Sequence, residues 1–553
     1  MSSDIAFGPA LTRRELLAAT GRGAAALGAV GLLASCGGGT AGTSGGPAVS
    51  AGGGTPVRGG TFTVGVLGAG TSEQLYPGGV GGPADYCRIQ QLYDNLFNIS
   101  SDSSLHLVPA LALSAEPNQD STSWTFKLRD GVHWHNGKAF TADDVVYTFT
   151  TAWRSPASFA RPAIAPFVDF KRVRKLDALT VEVPLLRPCA QFPTLFTFLS
   201  GATWIVPDGS TPAELARRPV GTGPFKFVSF TPGQQSIFEA NREYWEENKP
   251  YVDRVVVNSS FGDNTALLNA LLAGEINVMT PVSYSQAKQY QSSSQVQVLR
   301  SPGHTGNFVF MRVDSGAFAD VRVRQAMKLL VDRQLMVQNV LYGFGSVGTD
   351  FSPQATNALQ YAPDLPPATY DPEQAKALLK AAGADGLAAT FDTSAINDTF
   401  VPSATLIAQQ AAKVGIKLKV NVIPTSTYYT PASGYAKRYL GQDVAGEASS
   451  LTAAYIAATW SGAPYGETYW GTQNPGGPAT DKLLFEAVGA TTPARAESLW
   501  TQVQNLQVRE GGYLNWAFGD VLDAVAPSVR GLRESPSWNL NNYRLLDGWL
   551  AGK

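Results

Sequence analysis

The chain is poor in cysteine and histidine, and it carries no excess charge of either sign. Its 553 residues include three cysteines and four histidines, while 42 basic residues face 44 acidic ones for a net charge of −2. A nucleic-acid-binding protein needs a strongly basic face, so this class of function is excluded. Beyond the N-terminal segment, no apolar run approaches the roughly 20 residues that span a bilayer. At about 100–200 residues per domain, the length predicts two to four structural units.

The sequence also lacks the usual signatures of nucleotide binding and hydrolysis. The run from Gly65 to Gly70 begins like a dinucleotide loop, but Glu73 stands where the third glycine of G-x-G-x-x-G belongs. The segment 221–223 (GTG) lacks the Lys-Ser/Thr ending of a phosphate loop. From residue 59 onward there is no G-x-S-x-G nucleophile elbow. We therefore predict that the protein is not an enzyme, with a secreted hydrolase as the alternative from another class.

The few histidines give little support for a metal centre. His133 and His135 are two residues apart, so on a strand they would share a face and could bind one ion. A structural site needs about four ligands, and no carboxylate or thiol cluster accompanies this pair. We predict that these histidines are exposed or hydrogen-bonded within the fold, and that the protein needs no metal and no cofactor.

The N-terminus has the three parts of an export signal. Residues 12–17 (TRRELL) carry two arginines, residues 16–34 are mostly apolar, and residues 33–36 read LASC. This order is typical of a secretory signal, which is removed from the mature protein. The LASC ending resembles the lipobox of bacterial lipoproteins, and the twin arginine resembles a Tat signal. The resemblance implies cleavage after residue 35, lipid on Cys36 and anchoring to the outer face of the cell membrane.

Two cysteines remain after Cys36 is assigned to lipid. Cys87 and Cys189 would lie in an oxidising compartment, where a disulfide can persist. Their separation in space cannot be read from the sequence, because a bridge requires closely placed Cα atoms. A disulfide and two unrelated buried thiols both stay open.

Helix and strand patterns interleave along the rest of the chain. Residues 37–58 are rich in Gly, Ser and Thr and predict a flexible linker, after which residues 59–66 alternate like a strand. Asp371 suits an N-cap and is followed by Pro372, so a helix is predicted to start there. A helix over 401–414 is predicted to end at a glycine and to be followed by a strand. This order indicates an α/β architecture.

Several motifs, in a fixed order, resemble the family-5 solute-binding proteins of ABC importers, which include dipeptide-, oligopeptide- and nickel-binding proteins. Single motifs of this kind are weak, whereas the whole series in order is specific and spans nearly all of the mature chain. The motifs are found at residues 124–137, 219–225, 241–245, 270–276, 318–326, 370–379 and 415–420.

The resemblance implies a two-lobed periplasmic-binding-protein type II (cluster C) fold, with an extra α+β subdomain inserted in lobe one. Crossing strands would join the lobes. The expected segments are a signal peptide at 1–35, a linker at 36–58, lobe one at 59–102, the inserted subdomain at 103–205, lobe one again at 206–305, lobe two at 306–505 and a return to lobe one at 506–553.

The expected ligand site departs from the family pattern. Peptide binders of this family commonly use an aspartate in lobe two to hold the α-amino group of the ligand. In the matching stretch, residues 443–452, that position falls near Thr452, and the Asp-Pro that often follows is missing. Glu447 is a candidate for the missing charge, although its side chain could equally point away from the cleft.

Aromatic residues and the crossing segments supply the other candidates. Four large aromatics crowd residues 460–470, and aromatic walls with few polar anchors suit a cleft that closes over a ligand. The alternative is that half of these aromatics belong to the core, which is common for large side chains. The predicted ligand-binding residues are His304, Asn307, Glu447, Thr452, Trp460, Tyr465, Trp470 and Trp516.

The sequence therefore predicts a lipid-anchored, extracytoplasmic solute-binding protein that closes over its ligand and delivers it to an ABC importer. Peptides are the first choice of ligand, and a non-peptide solute such as an oligosaccharide, a polyamine or a chelated metal is the alternative. The implied partners are the ligand, the permease and ATPase subunits, and the membrane through the lipid. We expect a monomer that binds no nucleic acid.

Overall fold

The structure is a computed structural model, and it describes most of the chain after residue 53. The predicted signal, the predicted lipidation site Cys36 and the candidates Glu447 and Tyr465 lie outside the described residues, as does the side chain of His304. The described residues are 54–68, 70–79, 82–100, 106–197, 203–350, 369–425, 427–429, 437–445, 452, 455–456, 459–461, 467–470, 477–534 and 538–552.

A large mixed sheet is the central element of the fold. Its strand order is β16-β12-β17-β11-β1-β10-β9-β8, and β13 pairs with β17. The strands of the described residues are β1 (Thr61–Leu67), β2 (Phe97–Ile99), β3 (Leu107–Pro109), β4 (Ala112–Pro117), β5 (Ser123–Leu128), β6 (Arg174–Asp177), β7 (Thr180–Pro184), β8 (Phe225–Thr231), β9 (Gln235–Ala240), β10 (Arg254–Phe261), β11 (Val278–Thr280), β12 (Gln297–Met311), β13 (Gly345–Val347), β14 (Ala388–Ser394), β15 (Lys417–Ile423), β16 (Leu440–Ala445), β17 (Tyr513–Val525), β18 (Val529–Arg530) and β19 (Trp549–Leu550).

Helices cover the sheets, and their ends follow the predicted capping pattern. Asp371 accepts a hydrogen bond from the amide of Gln374, and Gly383 follows the helix with φ of 68°. Within the described residues, no helix has both the length and the apolar content that crossing a membrane requires. The helices are α1 (Pro83–Leu92), α2 (Ala142–Tyr147), α3 (Arg161–Ile164), α4 (Pro212–Arg217), α5 (Asn264–Leu272), α6 (Tyr284–Tyr290), α7 (Val321–Leu329), α8 (Arg333–Val340), α9 (Pro372–Ala381), α10 (Phe400–Lys413), α11 (Gly477–Val488), α12 (Pro493–Glu510) and α13 (Asn539–Tyr543).

Two long strands, β12 and β17, connect two separate hydrophobic cores. At one end, Leu299 and Val525 pack with Phe62 of β1 in what we call the large-sheet core. At the other end, Val309 and Trp516 pack with helices α7 to α10 in what we call the helical core. The two strands pair antiparallel along most of their lengths, with irregular register near residues 301–305. The chain thus passes between the two cores along a two-stranded connection, which fits the predicted crossing strands.

A four-stranded antiparallel sheet, in the order β4-β5-β7-β6, forms a smaller unit within the predicted insertion. We call residues 107–205 the small-sheet unit. Its core is aromatic: the rings of Trp153 and Phe196 stack with centroids 5.6 Å apart, and Phe126 meets Phe196 edge-on at 5.7 Å. Such ring pairs add stabilisation beyond the burial of their area. These aromatic residues form the centre of a hydrophobic cluster distinct from the large-sheet core and the helical core.

The helices α11 and α12, which we call the helix pair, pack against the small-sheet unit. Leu484 and Trp500 belong to the same buried cluster as Phe126. The amide of Ala190 donates to the carbonyl of Val488 at 2.9 Å, which ties the two parts together through the backbone. The predicted segments place α11 and most of α12 in lobe two, with the boundary to lobe one falling after residue 505, inside α12. Helical periodicity shows that a helix has a buried face, but it does not identify the surface that covers that face.

The two described cysteines are free and belong to different cores. Cys87 lies in the large-sheet core and Cys189 in the core of the small-sheet unit. Burial raises the pKa of the Cys87 thiol to about 12 and also raises the pKa of Cys189. Both therefore act as small buried apolar groups, and the disulfide that the sequence left open is not formed.

Candidate functional site

The candidate site lies where β12 and β17 pass between the large-sheet core and the helical core. Tyr284, the first residue of α6, packs against the helical core and lies at this junction. Its hydroxyl donates to the carbonyl of Asp520 on β17 at 3.0 Å. A Cβ atom on Gly519 would lie 2.3 Å from the hydroxyl oxygen of Tyr284, so only glycine allows this close approach. The tyrosine is thereby fixed against one connecting strand.

Asp398 contacts the backbone of Tyr284. It lies in the short segment between β14 and α10, and its Oδ2 accepts a hydrogen bond from the amide of Tyr284 at 3.3 Å. The residue is exposed to solvent, yet desolvation by the surrounding protein raises the pKa of its carboxyl. Desolvation disfavours the charged form of a carboxyl group, so a positive charge placed beside Asp398 would be stabilising. In the part of the chain that the structure describes, no cation forms an ion pair with Asp398.

Tyr429 shows the same combination of exposure and desolvation. Its side chain is 44 % exposed, but desolvation first, and the Asp443 charge second, raise the pKa of its hydroxyl well above the usual value. The hydroxyl donates to Oδ1 of Asp443 on β16 at 2.6 Å. An accessible aromatic ring beside a carboxylate can contact both apolar and cationic parts of a ligand.

Among the residues predicted from the sequence, Asn307 lies closest to this arrangement. Its Oδ1 accepts a hydrogen bond from the hydroxyl of Thr399, which is the residue after Asp398, at 3.0 Å. Its Nδ2 donates to the carbonyl of Thr305 at 3.0 Å. With only 2 % of its surface exposed, Asn307 supports the segment that carries Asp398. The backbone of His304 lies on the same strand.

The predicted aromatic residues occupy packing positions. Trp516 is 1 % exposed within the helical core, and Trp470 is 2 % exposed, with its indole nitrogen 3.5 Å from the hydroxyl oxygen of Thr480. Trp460 packs on Phe485 of the helix pair, with ring centroids 5.7 Å apart. Thr452 is 1 % exposed. For the three tryptophans, the alternative of core packing describes the structure better than that of cleft walls.

Sequence reasoning missed Tyr284, Asp398 and Tyr429. The segment 397–399 (NDT) reads as an ordinary polar start of the helix that follows, so its carboxylate attracts no attention. Asp398 and Tyr284 are 114 residues apart in the chain, and only tertiary folding brings them together. The one signal available in the sequence was the position of Asp398, a charged residue in the short segment between a strand and a helix.

His135 is hydrogen-bonded inside the fold, as the sequence analysis preferred. Its Nδ1 accepts from the amide of Gly221 at 3.3 Å, which assigns the ring proton to Nε2, 3.0 Å from the carbonyl oxygen of Gly223. Burial lowers the pKa of the imidazole to about 4, so the ring is neutral at physiological pH. His133 is exposed, and no group of three or more metal-ligating side chains occurs among the described residues.

The lowered pKa of His135 predicts a loss of stability in mild acid. The unfolded chain binds a proton at a pKa near 6.5 and the folded chain only at about 4. Between these values the unfolded state binds more protons, so the free energy of unfolding falls by up to about 1.4 kcal/mol per pH unit on acidification. Urea unfolding at several pH values should show this slope in the wild type and a shallower one in His135→Gln. Equal slopes in the two proteins would contradict the assignment of this pH dependence to His135.

Comparisons with known proteins agree with this architecture. The glutathione-binding protein GsiB of Pectobacterium atrosepticum is 25 % identical over 459 residues, covering 81 % of this chain and 87 % of that protein. Heme-binding protein A of Haemophilus influenzae is 28 % identical over 486 residues, covering 81 % and 85 %. The solved periplasmic binding protein DppA from Helicobacter pylori, in complex with the peptide STSA, superposes with a TM-score of 0.74 at 22 % identity, covering 90 % and 99 %.

The structural likeness confirms the predicted type II binding-protein fold. A family model described as bacterial extracellular solute-binding proteins, family 5 middle, matches residues 106–477, which is more than half of the chain. The chain therefore belongs to the family-5 extracellular solute-binding proteins, which are binding components of ABC importers and not enzymes.

Proposed function

We propose that this protein is anchored by lipid on Cys36 to the outer face of the cell membrane, where it captures an organic solute and passes it to an ABC permease. The observation that carries the location of the site is the junction itself. There, beside the strands β12 and β17 that connect the two cores, Asp398 is accessible and desolvated, and Tyr429 shows the same combination next to Asp443 on β16, the neighbour of β12. A ligand that binds at this junction would contact both sides of the molecule.

Closure about β12 and β17 is the proposed mechanism. A ligand shifts the balance between open and closed forms only as far as it prefers one of them. Hinge motion of this kind needs a few backbone positions that absorb the rotation. The irregular register between residues 301 and 305 of β12 is the candidate for such a position. The hydrogen bond from the Tyr284 amide to Asp398 then stabilises the closed form.

We propose a ligand with a cationic group, with peptides as the first candidate. Asp398 offers a carboxylate whose negative charge is disfavoured by desolvation, and a ligand ammonium would compensate this charge. Tyr429 offers an aromatic surface beside Asp443 for the rest of the ligand. The GsiB and DppA relatives are named for glutathione and for a peptide complex, which supports this choice. A non-peptide organic solute is the second candidate, since another relative is named for heme.

The first test is native mass spectrometry of the full-length protein, followed by denaturation and identification of any released small molecule. A ladder of mixed peptides would support peptide transport. A single non-peptide mass would replace peptides by that solute and leave the transport role intact. A protein that neither releases a molecule nor is stabilised by any peptide or other organic solute in a thermal screen would contradict the proposal.

Asp398→Asn is expected to weaken binding of an amine-bearing ligand about tenfold or more, because a charge-assisted hydrogen bond becomes a neutral one. The probes are the dipeptide Ala-Phe and its N-acetylated form, titrated by calorimetry. We expect the variant to lose affinity for the free amine and to bind the acetylated form as the wild type does. Asp385→Asn, an exposed aspartate beyond α9, is the matched control. Unchanged binding of Ala-Phe by the Asp398 variant would refute the role of this carboxylate.

A further inference from the structure

A surface pocket outside the cleft lies where the small-sheet unit meets the helix pair. It has a volume of about 540 Å³. Leu186, Arg187 and Pro188 of the small-sheet unit form one wall. The other wall comes from α11 and the residues after it, including Lys482, Phe485, Glu486, Gly489 and Arg495. Neither the cleft nor the two connecting strands contribute to it.

The pocket combines exposed apolar surface with an excess of positive charge. Leu186 is 61 % exposed, which is unusual for a large aliphatic side chain and marks a potential contact surface. The guanidinium of Arg187 stacks over the ring of Phe485 at 4.1 Å. Lys482 and Glu486 form only a loose pair at 4.0 Å, while Arg495 forms no ion pair within the described chain. The lining residues therefore include three cations and one carboxylate, and a second carboxylate, that of Asp481, acts electrostatically on Arg187.

The pocket exists only while the small-sheet unit and the helix pair are in contact. The backbone hydrogen bond from Ala190 to Val488 lies beside the pocket, because Ala190 is close in sequence to Pro188 and Val488 precedes Gly489. At Gly489, a Cβ atom would lie 3.1 Å from the Cβ of Pro188, so the glycine allows the two segments to approach closely. Any partner that fills the pocket contacts the small-sheet unit and the helix pair at once. Such a partner stabilises the contact between them, because it binds only when they are together.

We propose that this pocket docks an acidic segment of a partner protein, which packs an apolar side chain against Leu186 and places carboxylates beside Lys482 and Arg495. Charge complementarity favours a negatively charged partner. The concave shape and the apolar contact surface favour a peptide segment with one anchoring side chain. A membrane surface would instead meet a flat basic face. This surface is separate from the ligand site, so the proposal is independent of which solute is bound.

The test uses the full-length protein in detergent and two blocked peptides of equal length. One is acetyl-Glu-Leu-Leu-Glu-amide and the other acetyl-Lys-Leu-Leu-Lys-amide, each with one leucine replaced by its photoreactive diazirine analogue. We expect the acidic peptide to bind at least tenfold more tightly, with cross-links that map by mass spectrometry to residues 186–188 or 485–489. Cross-linking sites distinguish this pocket from the cleft, where a peptide could also bind.

Charge reversal provides the variant and its control. The pocket variant, Lys482→Glu combined with Arg495→Glu, should abolish the preference for the acidic peptide. The control variant, Lys413→Glu combined with Lys417→Glu, reverses two exposed lysines elsewhere and should leave this preference unchanged. Equal binding of the two peptides, or cross-links confined to other sites, would overturn the proposal. Vesicles of phosphatidylglycerol and phosphatidylcholine in equal parts form a third arm. If the protein binds these vesicles but neither peptide, and the pocket variant loses vesicle binding, the surface is a lipid-binding surface and the peptide assignment is overturned.

Discussion

Arg88→Met is expected to lower the free energy of unfolding by about 3–5 kcal/mol, because it removes the cation that faces two buried carboxylates. The fully buried guanidinium of Arg88 on α1 lies 3.0 Å from Oε2 of Glu73 and 3.5 Å from Oδ1 of Asp85. It also donates to the hydroxyls of Ser236 and Ser259, at 2.7 and 2.6 Å. Urea unfolding followed by tryptophan fluorescence measures the loss.

A matched exposed arginine separates burial from the general effect of losing a charge. The side chain of Arg172 is 65 % exposed and lies 4.0 Å from Asp169. Arg172→Met should therefore change the free energy of unfolding by no more than about 0.5 kcal/mol. Similar losses in the two variants would show that the buried network contributes nothing beyond an ordinary surface ion pair. Glu73 follows β1, so the same network also fixes the start of the loop after this strand.

Trp500→Ala is expected to destabilise the protein by about 3–5 kcal/mol, the usual cost of removing a buried tryptophan and leaving a cavity. Trp500 lies on α12, is 1 % exposed and has its ring centroid 5.5 Å from that of Tyr455. It belongs to the cluster in which the helix pair covers the small-sheet unit. Hydrogen exchange at the amide of Ala190, which binds the carbonyl of Val488, should become faster in the variant.

The control for this variant is Leu186→Ala, which truncates an apolar side chain that is 61 % exposed nearby. Its effect on the free energy of unfolding should stay within about 0.5 kcal/mol. If Trp500→Ala cost no more than this control and left exchange at Ala190 unchanged, the helix pair would not be an integral part of the small-sheet core. The prediction therefore tests which folding unit these helices belong to.

The elements that the sequence predicted well are those with local causes. The start of α9 at Pro372 follows from the N-cap Asp371, and the predicted helix over 401–414 is observed as Phe400–Lys413. β1 alternates as expected, with Phe62, Val64 and Val66 fully buried. Each of these patterns depends on residues within about one or two turns of a helix, or on the two faces of a single strand.

The candidate site was predicted less well, because a cleft and a core select similar side chains. Large aromatics suit both environments, and no local pattern separates Trp516, which is buried in the helical core, from Tyr429, which is 44 % exposed. Asn307 was chosen for its place on a crossing strand, and the structure shows it supporting the segment with Asp398 through Thr399. Its exact contacts depend on chain segments that are far apart in sequence.

The sequence by itself determined the family, the type II fold and the ends of helices such as α9, because these depend on neighbouring residues or on motifs in a fixed order. Only the tertiary structure decided that Asp398 meets Tyr284, that the helix pair covers the small-sheet unit and that Cys87 and Cys189 lie in different cores. The physical reason is that local patterns specify which face of an element is apolar. The partner that covers this face is set by packing of the whole chain.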